Sequence, residues 1–234
     1  MTINISMIRS ILEIFFFSIG IRAFASAHSA SDKVKLAKLD MSRTNIGKSG
    51  FFELIPVLLR TEQVTIQGND LSALELKEFS TKLKEEENPQ IKVLDISSTG
   101  LSNESMPQIS TFINLIESID LHNSNFSPDS MKTLVSSIEE NGIGKLKTLN
   151  LRLCKLNDAC LEILSEIIPK ITSINLSSNN FSGNLAVKTL CSKIEKTEKA
   201  SLKFLDMKYS RLSQDMKKSL GEVCRNKNIE LKVW

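Results

Sequence analysis

The chain has 234 residues, 30 Lys and Arg against 27 Asp and Glu, and 41% hydrophobic residues, with one Trp and one Tyr. That length holds one large continuous core. The near-balance of charge, with Lys and Glu interspersed along 77–87 and 193–199, argues against the gathered basic face of a nucleic-acid-binding protein, while four cysteines without a C-x-x-C and only two histidines argue against a zinc site and for reduced thiols packed as small hydrophobes.

In chain order, residues 1–30 stand apart. Met1 to Arg9 carries one basic side chain, and Ile14 to Ile21 is an apolar run containing Phe15-Phe16-Phe17. Ala23-Phe24-Ala25 and Ala25-Ser26-Ala27 have the small residues of a cleavage site. The segment is similar to a secretory signal peptide, which implies export, although Glu13 and Arg22 crowd its apolar run. A helix that caps the open end of the following array is the other reading. The run is too short to span a bilayer as a helix.

Over residues 31–234 one pattern recurs. Leu39, Val64, Leu94, Ile119, Leu149, Ile174 and Leu205 anchor short strands, and an apolar residue follows two positions later (Met41, Ile66, Ile96, Leu121, Leu151, Leu176, Met207). Three positions before the anchors stand Leu36, Ile91, Ile116, Leu146, Ile171 and Leu202, with Thr61 the polar exception. The anchors are 25, 30, 25, 30, 25 and 31 residues apart, and a last strand anchored on Ile229 follows after 24 more. Eight positions after each anchor come Gly47, Ser72, Ser102, Ser127, Asn157, Ser182 and Ser213. These residue types cap helix N-termini, so the spacing predicts a helix opening at each. Stripes at i, i+3, i+4 and i+7 support this: Phe51, Phe52, Ile55, Leu58 and Leu59; Met106, Ile109, Phe112, Ile113 and Ile116; Met131, Leu134, Val135 and Ile138; Cys160, Leu161, Leu164, Ile167 and Ile168; Met216, Leu220, Val223 and Cys224.

The motif L-x-x-L-x-L-x-x-(N/C/T/S)-x-L, alternating in pairs of about 55 residues, resembles the leucine-rich repeats of the ribonuclease-inhibitor-like subfamily. Leu146 to Leu164 is the best match, with Cys154 at the turn and Ala159-Cys160-Leu161 opening the helix. The resemblance covers Lys35 to Trp234. It implies an α/β solenoid of about eight repeats: a right-handed horseshoe with a parallel sheet on the concave face and helices on the convex face. It also implies that the turn column Thr44, Asn69, Thr99, Ser124, Cys154, Asn179 and Ser210 is a ladder, donating hydrogen bonds to buried carbonyls.

Strand alternation turns the residues around each anchor to the concave side. One column reads Asp40, Thr65, Asp95, Asp120, Asn150, Asn175, Asp206, Glu230; the next reads Ser42, Gln67, Ser97, His122, Arg152, Ser177, Lys208, Lys232. Asp95 and Asp120 fall on neighbouring strands, flanked by His122 and Arg152, which are placed to neutralise them. With Asn150 they form either a locally balanced polar surface or an acidic notch for a Lys or Arg of another protein. Phe204, Asp206, Lys208 and Tyr209 make a second patch, because aromatic residues favour binding hot spots. The chain has no phosphate loop, no G-x-S-x-G and no H-E-x-x-H.

The expected function is therefore non-enzymatic protein–protein binding through the concave face, by a monomer without cofactor, metal, nucleic acid or membrane span. A further resemblance, to stand-alone leucine-rich repeat proteins that intracellular bacteria export into host cells, implies an effector acting in a host cytoplasm. Two alternatives stand beside it. One is a GTPase activator, for which Arg43 and Arg152 qualify only by residue type. The other is an assembly protein dimerising through its C-terminal edge strand.

Overall fold

A parallel sheet threaded in chain order organises the molecule. The computed structural model describes residues 2–4, 20–21, 23–26 and 35–234. Its strands are β1 (Thr2–Asn4), β2 (Leu36–Asp40), β3 (Thr61–Thr65), β4 (Val93–Asp95), β5 (Ser118–Asp120), β6 (Thr148–Asn150), β7 (Ser173–Asn175), β8 (Phe204–Asp206) and β9 (Glu230–Lys232). Each pairs in parallel with the next, so the spatial order is the sequence order. Between them run α2 (Gly47–Leu59), α3 (Ala73–Glu85), α4 (Met106–Ser110), α5 (Pro128–Asn141), α6 (Asp158–Leu164), α7 (Asn184–Lys196) and α8 (Gln214–Asn226). Helical residues 20–21 and 23–26 (α1) precede β2. A parallel neighbour needs a crossover, and a helix supplies it each time.

The strands are short because only the anchor must be buried. In β4 to β8 the middle residue is buried and its neighbours are half-buried. Leu39, Val64, Leu94, Ile119, Leu149, Ile174 and Leu205 all stand in register. Successive helices from α2 to α8 pack side by side. The apolar faces of both layers merge into one core that runs the length of the array. The result is a solenoid-like repeat of strand, turn and helix.

Two features of the sheet depart from the sequence pattern. β1 adds a strand beyond the anchor series, with Ile3 opposite Leu39. At the other end, Leu231 and not Ile229 is the anchor, since Leu205 pairs with Leu231. Glu230 therefore lies beside Phe204, and Lys232 beside Asp206. The reason lies in the end of α8: the Ile229 amide is bonded to the Cys224 carbonyl (2.8 Å), which holds Ile229 in the core ahead of the strand.

The cap column is half realised. Ser72, Ser127, Asn157 and Ser213 cap α3, α5, α6 and α8 with their side chains. Ile46, Ser105 and Gly183 hold the position at α2, α4 and α7 instead of Gly47, Ser102 and Ser182. Neighbouring repeats lend partners: Asn103 Oδ1 accepts from the Ser127 amide (2.8 Å), and Asp158 Oδ1 accepts from the Gly183 amide (2.9 Å). The stripes at Met106–Ile116 and Cys160–Ile168 are buried as expected, but each breaks from a short α-helix into a 3₁₀ turn, Ile113–Leu115 and Ile168–Lys170. Both breaks fall in 25-residue repeats, whereas α2, in the 25-residue repeat from Leu39 to Val64, runs unbroken for 13 residues.

Ile21 and Ala25 are buried in the same core, and a Cβ placed on Gly50 would stand 3.2 Å from Ile21 Cδ1. The rest of the apolar run, residues 14–19, and the small-residue site at Ala27 lie outside the described residues.

Glu75 is fully buried and completes the cap of α3, its Oε2 accepting from the Ser72 amide (3.0 Å) and hydroxyl. Burial acts to raise its pKa, yet the hydrogen bonds from Ser72 and its own amide, with the charge of Lys48, hold it below the ordinary 4.5. A depressed carboxyl stabilises the fold fully above the unfolded value and loses that contribution as pH falls through the folded one. Glu75→Gln is expected to cost about 1 kcal/mol at neutral pH and to flatten the acid limb of the stability curve. Urea unfolding from neutral pH to about pH 3 reads both effects; an unchanged acid limb would show that Glu75 does not carry it.

Candidate functional site

The sheet face turned away from the helices carries the polar columns. Parallel strands lie about 4.8 Å apart, so each column is a line of close neighbours. Asp95 pairs with Asp120, and Asp120 with Asn150. Asn150 Nδ2 donates to Asp120 Oδ2 (2.8 Å), and His122 Nδ1 lies 3.0 Å from Asp120 Oδ1. Asp95, Asp120, His122 and Asn150 are therefore one cluster. Arg152 is not part of its neutralisation, contrary to expectation: its backbone amide bonds Asn150 Oδ1 (3.0 Å), and its exposed side chain has no ion-pair partner among the described residues. The turn that follows the strand carries Arg152 towards the rim.

The column also has a structural duty that composition alone conceals. Asp40, Asp95, Asp120, Asn150, Asn175 and Asp206 each accept, through Oδ1, the backbone N–H two residues on, at 2.9–3.0 Å. This is an Asx turn, in which a short side chain stands in for a backbone acceptor as the chain leaves the strand. Asn serves as well as Asp, so the acceptor explains the residue type and leaves the negative charge of Asp95 and Asp120 unexplained by folding.

The second patch lies two strands from the first, past Ser173 and Asn175. Phe204 is half-buried, with Lys232 Nζ 4.7 Å from its ring centroid. Asp206 and Lys208 flank the strand exit. Tyr209 is 77% exposed. Trp234 is also exposed, with Lys217 Nζ 4.2 Å from its ring centroid.

Turn geometry reveals residues that the columns did not. Four positions after each anchor the backbone has positive φ: Arg43, Gly68, Ser98, Asn123, Leu153, Ser178 and Tyr209. The conformation lets the amides from Arg43 to Ser178 bond the next repeat, as from Leu153 to the Ser177 carbonyl (3.0 Å). Gly and Asn adopt it readily, whereas Leu and Tyr are strained there by roughly 1–2 kcal/mol. Leu153 is nonetheless 46% exposed, so core packing does not account for it. Lys155 and Arg211, two residues on, share the positive φ (56° and 59°). Sequence reasoning passed over Leu153, Lys155 and Arg211; their signal is a cationic–apolar–cationic turn repeated at 152–155 and 208–211.

Below the turns the ladder residues are buried and bonded. Thr44, Thr99 and Ser124 donate to the carbonyls of Met41, Ile96 and Leu121, each at 2.6 Å. Cys154 Sγ donates to the Leu121 carbonyl (3.3 Å) and Ser210 Oγ to that of Leu176 (3.1 Å). Burial pushes the thiols of Cys154 and Cys224 up to about 12 and that of Cys191 to about 11. Buried thiols of this kind are chemically inert at neutral pH.

The opposite rim is an ion-pair ladder: Lys92 Nζ lies 2.8 Å from Glu62, and Lys147 Nζ 2.6 Å from Glu117. Among the described residues no group of His, Cys, Asp and Glu is placed to hold a metal, and no helix is long and apolar enough to cross a membrane. The chain matches no protein-family model and no curated protein.

Proposed function

We propose that the protein is a non-enzymatic recognition module of the leucine-rich repeat, ribonuclease-inhibitor-like kind, curved as a right-handed horseshoe, that binds a partner protein through its concave sheet face. The observation that carries this reading is the unbroken register of β2 to β9. It sets polar side chains in straight columns on a face that none of the described helices covers. A surface ordered in advance loses little entropy on binding. The acidic pair Asp95 and Asp120 supplies a cation-seeking centre, with His122 and Asn150 against Asp120. The signal-like first thirty residues support export, and unpaired buried cysteines suit a reducing compartment. Together they favour an exported effector acting in a host cytoplasm.

The Asx turns dictate the test. Replacing the two aspartates by Lys or Ala would remove both charge and turn acceptor, whereas Asp95→Asn with Asp120→Asn removes the charge and keeps each turn acceptor, giving up only the half-buried bond that Asp120 Oδ2 accepts from Asn150. The double variant is expected to keep its unfolding midpoint within about 0.5 kcal/mol and to lose the partner captured by the immobilised parent protein from a eukaryotic lysate, identified by mass spectrometry. Undiminished capture would remove the acidic pair from the interface.

A further inference from the structure

The two cationic–apolar–cationic turns form one surface. Arg152, Leu153 and Lys155 follow β6; Lys208, Tyr209 and Arg211 follow β8. Between them β7 contributes Ser177, Ser178 and Asn180. Ser177 is buried at 4% and Ser178 is half-buried, while Leu153 and Tyr209 stand out on either side. Two strand spacings separate those residues, roughly 10 Å. The shape is a polar saddle between two apolar walls, each wall bracketed by cations.

These charges differ from those of the opposite rim. On the opposite rim Lys92 and Lys147 are matched by Glu62 and Glu117. Among the described residues no ion pair involves Arg152, Lys155, Lys208 or Arg211; the column beside them is neutral at β6 and β7, with Asn150 and Asn175, and carries one carboxylate at β8, Asp206, whose Oδ1 accepts from the Lys208 amide. The two bulky residues are held in strained backbone where Gly68 and Asn123 show what the turn accepts easily. Strain retained at an exposed position points to a task outside folding.

We infer that this rim is the docking site for an extended acidic segment of a partner protein, with an apolar side chain seated between Leu153 and Tyr209 and carboxylates reaching the flanking cations. The inference rests on the recognition reading above and assigns it a second contact, separate from the acidic pair. Charge complementarity fixes the sign of the occupant. The four cations come in two separated pairs and do not form a stripe along a phosphate backbone. Leu153 offers no ring for base stacking, and two apolar side chains are too small an area to hold a lipid surface.

The test uses the full chain and a short fluorescein-labelled peptide with glutamates on both sides of a central leucine, read by fluorescence anisotropy. The comparison probes are the same peptide with lysine for glutamate, a DNA single strand of equal charge, and phosphatidylserine vesicles. The acidic peptide is expected to bind best, with an affinity that falls as salt rises. Leu153→Asn with Tyr209→Asn should weaken it about tenfold or more while leaving the unfolding temperature unchanged or raised, because Asn suits the turn. Arg152→Glu with Arg211→Glu should abolish binding. Absence of peptide binding, equal binding by both double variants, or tighter binding of the DNA or the vesicles would overturn the inference. Loss of lysate capture in the Asp95→Asn, Asp120→Asn protein with peptide binding intact leaves the rim site standing. Peptide binding intact with no partner captured by the parent protein ends the concave-face reading and spares the rim.

Discussion

Asn179→Ala is expected to lower stability by about 4 kcal/mol, more than any serine or threonine ladder substitution. The side chain is buried, and both ends of its amide are in use. Nδ2 donates to the carbonyls of Leu151 (2.9 Å) and Leu176 (2.8 Å), and Oδ1 accepts from the amides of Cys154 and Leu156 (both 3.0 Å). Three of those four groups belong to the preceding turn. Asn179 is thus a fastener between repeats, where Thr99 and Ser124 bond only a carbonyl of their own strand exit. Alanine would strand the Leu151 carbonyl and two amides in a space that water does not reach, while the Leu176 carbonyl keeps the Ser210 hydroxyl (3.1 Å); each unsatisfied group costs about 1–3 kcal/mol with partial relaxation. Ser124→Ala, which leaves the Leu121 carbonyl with only the weak Cys154 thiol donor (3.3 Å), should cost only about 1 kcal/mol. In a one-dimensional array the loss falls on one interface, so urea unfolding followed by circular dichroism should show a large fall in midpoint for Asn179→Ala and a small one for Ser124→Ala. Equal effects would refute the fastener role.

Phe79→Ala is the second large effect, expected at about 4 kcal/mol. Phe79 is 1% exposed. Its ring lies 6.4 Å from that of Phe51 and 5.3 Å from that of Phe112, the latter edge-on at 82°. The three rings link α2, α3 and the kink after α4. Phe112 sits where the short repeat gives up its α-helix, so Phe79 fills the space left there. Removing it leaves a ring-sized cavity against two aromatic partners and forfeits edge-to-face contacts worth roughly 0.5–1.5 kcal/mol each. Phe79→Leu keeps most of the volume and should cost under about 1.5 kcal/mol if its neighbours repack. Thermal unfolding of both variants gives the comparison; a mild Phe79→Ala would mean that the kink collapses onto the gap.

Much of the fold was legible because its signals are local and repeated. An apolar residue at Leu94 or Ile119 can face only one way on a strand, and the same choice made seven times leaves one sheet. Thr99, Ser124 and Asn179 announced buried donors because a polar residue recurring at a fixed place amid apolar ones must meet a buried backbone group. The last strand was misread because periodicity cannot see how far α8 runs before Ile229 is caught by the Cys224 carbonyl. The cap at α7 was misread because Asp158, one repeat earlier, accepts from the Gly183 amide.

The candidate site divides in the same way. From β2 to β8 the sequence by itself determined which side chains share a column, since an alternating strand and a constant register leave no freedom there. It could not determine what those side chains do. That Asp95 and Asp120 hold their own turns, that Arg152 stands away from them, and that Leu153 and Tyr209 are thrown outward in left-handed backbone are decided by turn geometry. That geometry is set by hydrogen bonds to the neighbouring repeat, between residues some 25 or 30 positions apart in the chain. Only the stacked structure brings those partners together.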